Sequence, residues 1–386
     1  MAEDLVQVAR ALAPIIRGGA EEADRERRLP TRVARAMAEA GLYRMSVARE
    51  YGGLEADPVT TIKVIEAISE ADGAAGWNLM IGTETSGISS GGVIPEVGQE
   101  VWGADPAAIM SGALNALGRA AEVEGGWRVN GQWPFASGCH NATWFWGGCQ
   151  VVEGGDVRRN ADGTPFMLQV LVPASDFTIL DTWQVAGLRG SGSHDIAIND
   201  VFVPIRRTTA VHYEGLRAQS PLFRYPLISR LCYNKVGVAT GIARAAIDAF
   251  VELAGAKVPY TARELLRERA HAQLTVAEAE ALLGSGRAFI FETVGEMWEE
   301  VRNGRRPPDA LRVRQRLAAS YCVDCAVRAV ELVHKSAGST ANFTSSPIER
   351  LVRDVHVVQA HVTVAPTIFE TVGRAMLGLP VNPGSF

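Results

Sequence analysis

Between Ala108 and Pro204 the helical spacing that governs the rest of the chain disappears, and glycines, tryptophans and β-branched residues take its place. An α-helix repeats its apolar face every 3.6 residues and a strand every 2, so this change of period forces a change of layer. The expectation is an α+β chain in three parts: an N-terminal helical domain over 1–107, a central β-barrel or sandwich domain over 108–206 and a C-terminal helical bundle over 207–386.

Local signals support that division. Apolar residues recur at helical spacing from Leu5 to Ile16 and from Thr31 to Ala40, and Gly41 supplies a stop. Asp57-Pro58 opens another helix, and a third is expected from Ala74 to Met80. In the middle part, Val123 to Trp133 reads as a hairpin with Gly125-Gly126 at its turn and Asn130-Gly131 as a second reversal. Phe166 to Val172 and Ile196 to Val203 read as further strands. Helical period then resumes near Leu227 and runs over 261–303, is broken by Pro307-Pro308, and continues from a cap at Asp309 to His334. A last pair of helices is expected after Pro347, broken at Pro366 and closed before Gly378.

Composition excludes several functions. At 386 residues with 47% hydrophobic side chains the chain can bury a large core without staples. A net charge of −5 offers no field for nucleic acid, and no apolar run approaches the ~20 residues of a membrane helix, so a cytoplasmic protein is expected. The five cysteines are irregularly spaced and read as free thiols. Cys322 and Cys325 have C-x-x-C spacing on what reads as a buried helical face, and no second pair completes a metal site, so no metal is expected. Rossmann, Walker, H-E-x-x-H and G-x-S-x-G signatures are absent.

What the chain carries instead lies in three blocks. In the first, Trp127 to Trp144, the Asn130-Gly131 pair is followed by Phe135, then by Ser137 and Gly138. The second, Val185 to Pro204, contains Gly187, Arg189, Gly190 and Ser191 and ends on Val203-Pro204. The third, Leu351 to Val362, contains Arg353-Asp354. Each has a bland reading: β core with a surface serine, turn glycines, a solvated Glu349–Arg353 helix pair. Together, and with Glu50-Tyr51-Gly52-Gly53, they resemble the acyl-CoA dehydrogenase superfamily. The resemblance implies an acyl-CoA dehydrogenase-like fold, a flavin held by Phe135, Ser137, Gly138, Arg189, Gly190 and Ser191, and a homotetramer.

A dehydrogenase of that family needs a carboxylate base, and the matching position after Arg353-Asp354 is Val362. Glu252 or Glu264 would serve if the base were relocated, which keeps an FAD-dependent acyl-CoA dehydrogenase open as the alternative. The neighbour of Val362 is His361, and this resembles the monooxygenase branch, in which FAD (or FMN) arrives reduced from a separate flavin reductase and reacts with O2. In that reading His361 is the acid/base group, Ser137 supports the flavin near N5, and Trp77, His140 and Trp144 line a pocket for an aromatic or other small organic substrate. His194 ranks with His140, and the bland reading of His361 is helix packing.

Overall fold

The computed structural model describes residues 2–210, 217–260 and 262–386. Its first part contains α1 (Ala2–Ala11), α2 (Ala13–Arg17), α3 (Ala20–Glu26), α4 (Thr31–Glu39), α5 (Pro58–Ala71), α6 (Gly73–Gly92) and α7 (Pro95–Gly98). The single helix expected from Leu5 to Ile16 is two, because Pro14 in the first turn of α2 has no N–H to continue the α1 ladder. Two aspartates start the helices that matter most here. Asp57 accepts the Thr60 N–H at 3.0 Å to cap α5, and Asp72 accepts the Ala75 N–H at 2.8 Å to cap α6. The segment expected from Ala74 to Met80 is the first half of α6, a 20-residue helix buried on nearly every face. Two of its hydroxyls bond back to its own carbonyls, Ser89 to Thr85 at 2.6 Å and Ser90 to Gly87 at 3.3 Å, which offsets part of the cost of their burial.

The middle part is one sheet of β1 (Met110–Val123), β2 (Gly126–Trp133), β3 (Trp144–Glu153), β4 (Asp156–Val157), β5 (Met167–Pro173), β6 (Thr178–Leu180), β7 (Asp195–Pro204) and β8 (Thr208–Ala210). The order is β6-β7-β2-β1-β3-β5-β8, with β4 paired to β3. Because β5 also touches β7, the sheet curls around a core of Trp133, Phe145, Val170 and Ile196. The β1–β2 turn is Glu124-Gly125, with Gly125 at φ +79°. Asn130-Gly131 is not a second reversal: β2 runs through it and bulges against β7. Gly131 is required there for close approach, since a Cβ would lie 2.7 Å from both the Gly118 Cα and the Trp133 ring. The last strand, β8, lies beyond residue 206, where the sequence places the end of the β part.

The C-terminal part holds α8 (Pro221–Arg224), α9 (Leu227–Ala256), α10 (Ala270–Arg302), α11 (Asp309–Ala337), α12 (Pro347–Gln359) and α13 (Ile368–Met376). Helical period resumes at Leu227 as expected; residue 261, the start of the run expected over 261–303, lies outside the described residues, and the helix of that run begins only at Ala270. Asp309 is the first residue of α11 rather than its cap, and its carboxylate still faces the positive end of the helix dipole. Cys322 and Cys325 are buried on α11, and all five cysteines are free thiols. No described helix is long and apolar enough to cross a membrane.

The loop between β6 and β7 is clamped onto α12. The Leu188 N–H donates to Asp354 Oδ1 at 2.6 Å, Arg353 bonds the Ala186 carbonyl, and Gly187 lies against the Arg353 backbone with no room for a Cβ. This contact holds Leu188 at φ +48°, a conformation a leucine adopts only when its surroundings enforce it. Burial, and then the neighbouring Asp72 carboxylate, raise the Asp354 carboxyl to about 7. Asp354 therefore keeps its proton in the fold between its unfolded value and about 7, and the stabilisation this supplies is lost as pH rises through that range. Asp354→Asn, which keeps the acceptor for Leu188, should remove that loss. Thermal melts from pH 5 to 8 should show the variant gaining on the parent by about 1–3 kcal/mol at the alkaline end; parallel pH profiles would contradict the assignment.

Candidate functional site

The site grows from Ser137. After β2, Pro134 and Phe135 turn the chain sharply, with Phe135 at φ +61°, and bring Ser137 inward to 4% exposure. The Trp77 indole N–H on α6 donates to Ser137 Oγ at 3.0 Å. From Ser137 a hydroxyl chain continues to Ser193 at 2.7 Å and to Ser191 at a further 2.7 Å. Backbone bonds run beside it: Gly138 N–H to the Ser191 carbonyl at 2.9 Å and Ala136 N–H to the His194 carbonyl at 3.0 Å. Ser111 Oγ donates to the Ser137 carbonyl at 3.0 Å, and Asn78 reaches the Gly190 carbonyl at 3.3 Å. Two loops that lie about fifty residues apart in sequence thus form one unit against α6.

Phe135, Ser137, Gly138, Gly190 and Ser191 come together as the sequence predicts, with different exposures. Phe135 is 68% exposed, and its ring lies edge-on to Trp183 at 6.1 Å between centroids. An open aromatic face backed by buried hydroxyls suits a flat heteroaromatic ring with polar edges, so these residues fit a flavin. Arg189 faces the other way: its guanidinium bonds the Asp24 carbonyl at 2.9 Å and the Val185 carbonyl at 3.2 Å.

His361 reaches the same place from the C-terminal part. Helix α12 ends at Gln359, so His361 stands in the turn beyond it rather than on its face. His356, still on the helix, approaches Glu331 at 3.3 Å on the surface. The His361 ring meets the edge of Trp77 with centroids 5.6 Å apart. Its Nδ1 lies 3.3 Å from the Thr363 N–H and 2.9 Å from Thr363 Oγ1. A backbone N–H can only donate, so Nδ1 is the acceptor and the neutral ring carries its proton on Nε2. Burial, then the charges of Lys235 and Arg316, hold His361 down to about 3. The expected acid/base group is therefore a fixed neutral donor at working pH, because protonating it would add a third positive charge to a buried neighbourhood.

Of the residues expected in a substrate pocket, Trp77 is at the centre. His140 meets His194 in an edge-on arrangement with centroids 5.0 Å apart, and His194 is locked to backbone by the Thr182 and Trp183 N–H groups, each 3.2 Å from Nδ1. Trp144 packs its ring under the Arg207 guanidinium at 5.0 Å, in a different part of the sheet surface. Sequence reasoning missed Ser193, Trp183 and Thr363. Ser193 sits inside the second block and was within reach; Trp183 and Thr363 act through partners distant in sequence. Two clefts, one of about 590 Å³ beside Lys63 and Arg287 and one of about 780 Å³ beside Leu317 and Phe386, lie apart from these residues. Among the described residues no cluster of His, Cys, Asp and Glu is placed to hold a metal ion.

Comparison with known proteins gives a consistent picture. Residues 4–100 match the family described as "Acyl-CoA dehydrogenase, N-terminal domain" and residues 234–366 match "Acyl-CoA dehydrogenase, C-terminal domain". The chain is 32% identical over 364 residues to the indole-3-acetate monooxygenase of Pseudomonas putida, covering 94% of this chain and 91% of that protein. It is 30% identical over 383 residues to HsaA of Rhodococcus jostii, the oxygenase subunit of a flavin-dependent monooxygenase, covering 96% and 98%. The crystal structure of XiaF from a Streptomyces species, in complex with FADH2 and glycerol, superposes with a TM-score of 0.89 at 25% identity over 99% of this chain and 97% of that one.

The protonation state of His361 is directly measurable. With the ring nitrogens labelled, NMR should show an Nε2–H tautomer whose shifts stay constant from pH 8 to pH 5. A titration midpoint near 6.5 would overturn the assignment.

Proposed function

The chain belongs to the acyl-CoA dehydrogenase superfamily, in its flavin-dependent monooxygenase branch, and from that premise we propose that it is the oxygenase component of a two-component hydroxylase acting on a small aromatic substrate. The observation that carries the reading is the meeting of Ser137, Trp77 and His361 where a dehydrogenase would present a carboxylate. The proposed cofactor is FAD, with FMN as the alternative, delivered reduced by a separate reductase. When bound, reduced flavin supplies the electrons with which O2 is split between the product and water. The two glutamates that would rescue a dehydrogenase are both exposed. Glu252 also stands about 25 Å along α9 from Lys235, too far to share the site.

The chain's own residues have separable tasks. Phe135 and Trp183 offer the flavin an aromatic wall, and Ser137, already accepting from Trp77, presents a hydroxyl whose position is fixed from two sides. His361 holds an N–H toward the substrate side, and Trp77 keeps that ring from turning. The same proposal includes a homotetramer, in which exposed Phe343, Val362, Met376 and Leu377 are available for burial between copies. It also includes a cytoplasmic location, which suits five free thiols.

The purified chain should consume O2 only when reduced FAD or a flavin reductase with NADH is supplied, and acyl-CoA should not bleach its flavin anaerobically. Ser137→Ala should bind reduced flavin more weakly and divert O2 to hydrogen peroxide. His361→Ala should lose about 10²–10³-fold in coupled product while still binding flavin, the loss typical of one preorganised donor. Acyl-CoA reduction of the flavin, or full coupling in both variants, would sink the reading.

A further inference from the structure

Taking a cationic side chain out of water is costly unless a counter-charge or several hydrogen bonds replace the solvent. Three lysine or arginine side chains are buried in this way among the described residues: Arg230 at 4% exposure and Lys235 at 1% on α9, and Arg316 at 4% on α11. Lys235 has its carboxylate, with Nζ 2.5 Å from Glu84 Oε2 of α6, and Arg230 lies over the Phe223 ring at 5.6 Å. Arg316 has neither. Its guanidinium bonds only neutral acceptors, and each lies on a different segment: the Cys232 sulfur of α9 at 2.5 Å, the Ser385 carbonyl at 3.3 Å, and the Thr363 carbonyl in the turn after α12. Burial raises the Cys232 thiol to about 11, so it brings no negative charge.

A planar fork of five N–H donors can hold three separated acceptors at set angles, which a single ammonium cannot. One of the three belongs to the residue on which the His361 ring rests. Thr363 presents both its N–H, 3.3 Å away, and its Oγ1, 2.9 Å away, to His361 Nδ1. The Val364 and Ala365 N–H groups return to the His361 carbonyl at 2.9 Å, so the turn closes on the histidine's own backbone. The Thr363 carbonyl receives its bond from outside that turn, from Arg316 on α11. Loosening this one contact would free the peptide that occupies Nδ1.

We propose that Arg316 is a positioning residue for the oxygenation: by gripping the Thr363 carbonyl it fixes the peptide and hydroxyl that occupy His361 Nδ1, and so keeps the imidazole N–H on Nε2, directed into the site. The use made of that N–H rests on the oxygenase reading. The hold on the ring is a property of the chain alone and is measurable without flavin.

Holding the turn and supplying charge are separable. Arg316→Lys keeps the charge near His361 but gathers its donors on one nitrogen, so it cannot reach all three acceptors where they stand. In the full chain with labelled ring nitrogens, at neutral pH and without flavin, the parent should give a pure Nε2–H signal for His361, assigned by its loss in His361→Gln. In Arg316→Lys the two ring nitrogens should move toward each other as the Nδ1–H tautomer becomes populated. Thr363→Val removes the hydroxyl while leaving the arginine in place, and should move them the same way by less; this variant decides the matter if Arg316→Lys does not fold. Cys232→Ala frees the same arginine from α9 but not from Thr363, and should leave the parent signal unchanged. In turnover with reduced FAD, Arg316→Lys should lose about 10- to 100-fold in coupled product, and should add nothing to the loss in His361→Ala. An unshifted ring in Arg316→Lys or in Thr363→Val, an equal shift in Cys232→Ala, or additive losses would overturn the proposal. A ring held as described in a chain that does not oxygenate would sink the oxygenase reading alone.

Discussion

The site depends on one buried hydrogen bond, from the Trp77 indole to the Ser137 hydroxyl. It joins a helix of the N-terminal part to a loop of the sheet, and each partner then fixes something else. Ser137 leads through Ser193 to Ser191 and so to the loop between β6 and β7, while the Trp77 ring edge sets the plane of His361. Leaving a buried donor or hydroxyl unpaired costs about 1–3 kcal/mol, which makes this junction hard to open locally. Its register comes from below, where Asp72 starts α6 five residues before Trp77. The same carboxylate helps keep Asp354 protonated under Leu188.

Much of the fold was legible because it is written in local signals. The change of period at Ala108, the breaks at Pro307-Pro308 and Pro366, and the cap at Asp57 each act within a few residues. Asn130-Gly131 misled because the pair is a strong turn signal, whereas the glycine serves contact with Gly118 and Trp133 across the sheet. The same distinction divides the site. Phe135, Ser137 and Gly138 lie in one short block and could be read together. Trp77 with His361, and Lys235 with Glu84, depend on helices meeting at distances no spacing encodes. A lone charge within the otherwise apolar face of α9 was the available sign of Lys235, and it is weak without its partner.

Charge is sorted across α6. The carboxylates Asp72 and Asp354 lie beneath the loop between β6 and β7, where burial raises both, Asp354 to about 7. The cations lie toward α9 and α11, around His361 and with Glu84 as their only buried counter-charge among the described residues. A buried proton and a buried positive excess are both unfavourable for folding alone. Their separation by one helix gives the two faces of the site opposite electrostatic character.

That sorting explains how a member of this superfamily can dispense with a base. Val362 occupies the slot matched to the base and cannot take a proton; His361 beside it is held neutral with its acceptor nitrogen occupied by Thr363. A strong base placed there would compete for the proton with every acid in the site. A positive field acts differently, because it disfavours any further positive charge and so helps keep the imidazole neutral. The imidazole and the cations need not exchange protons to do this, which suits a site where water is scarce and each buried charge must keep its sign. His361 is depressed first by its own burial, and the buried charges of Lys235 and Arg316 add to the same effect.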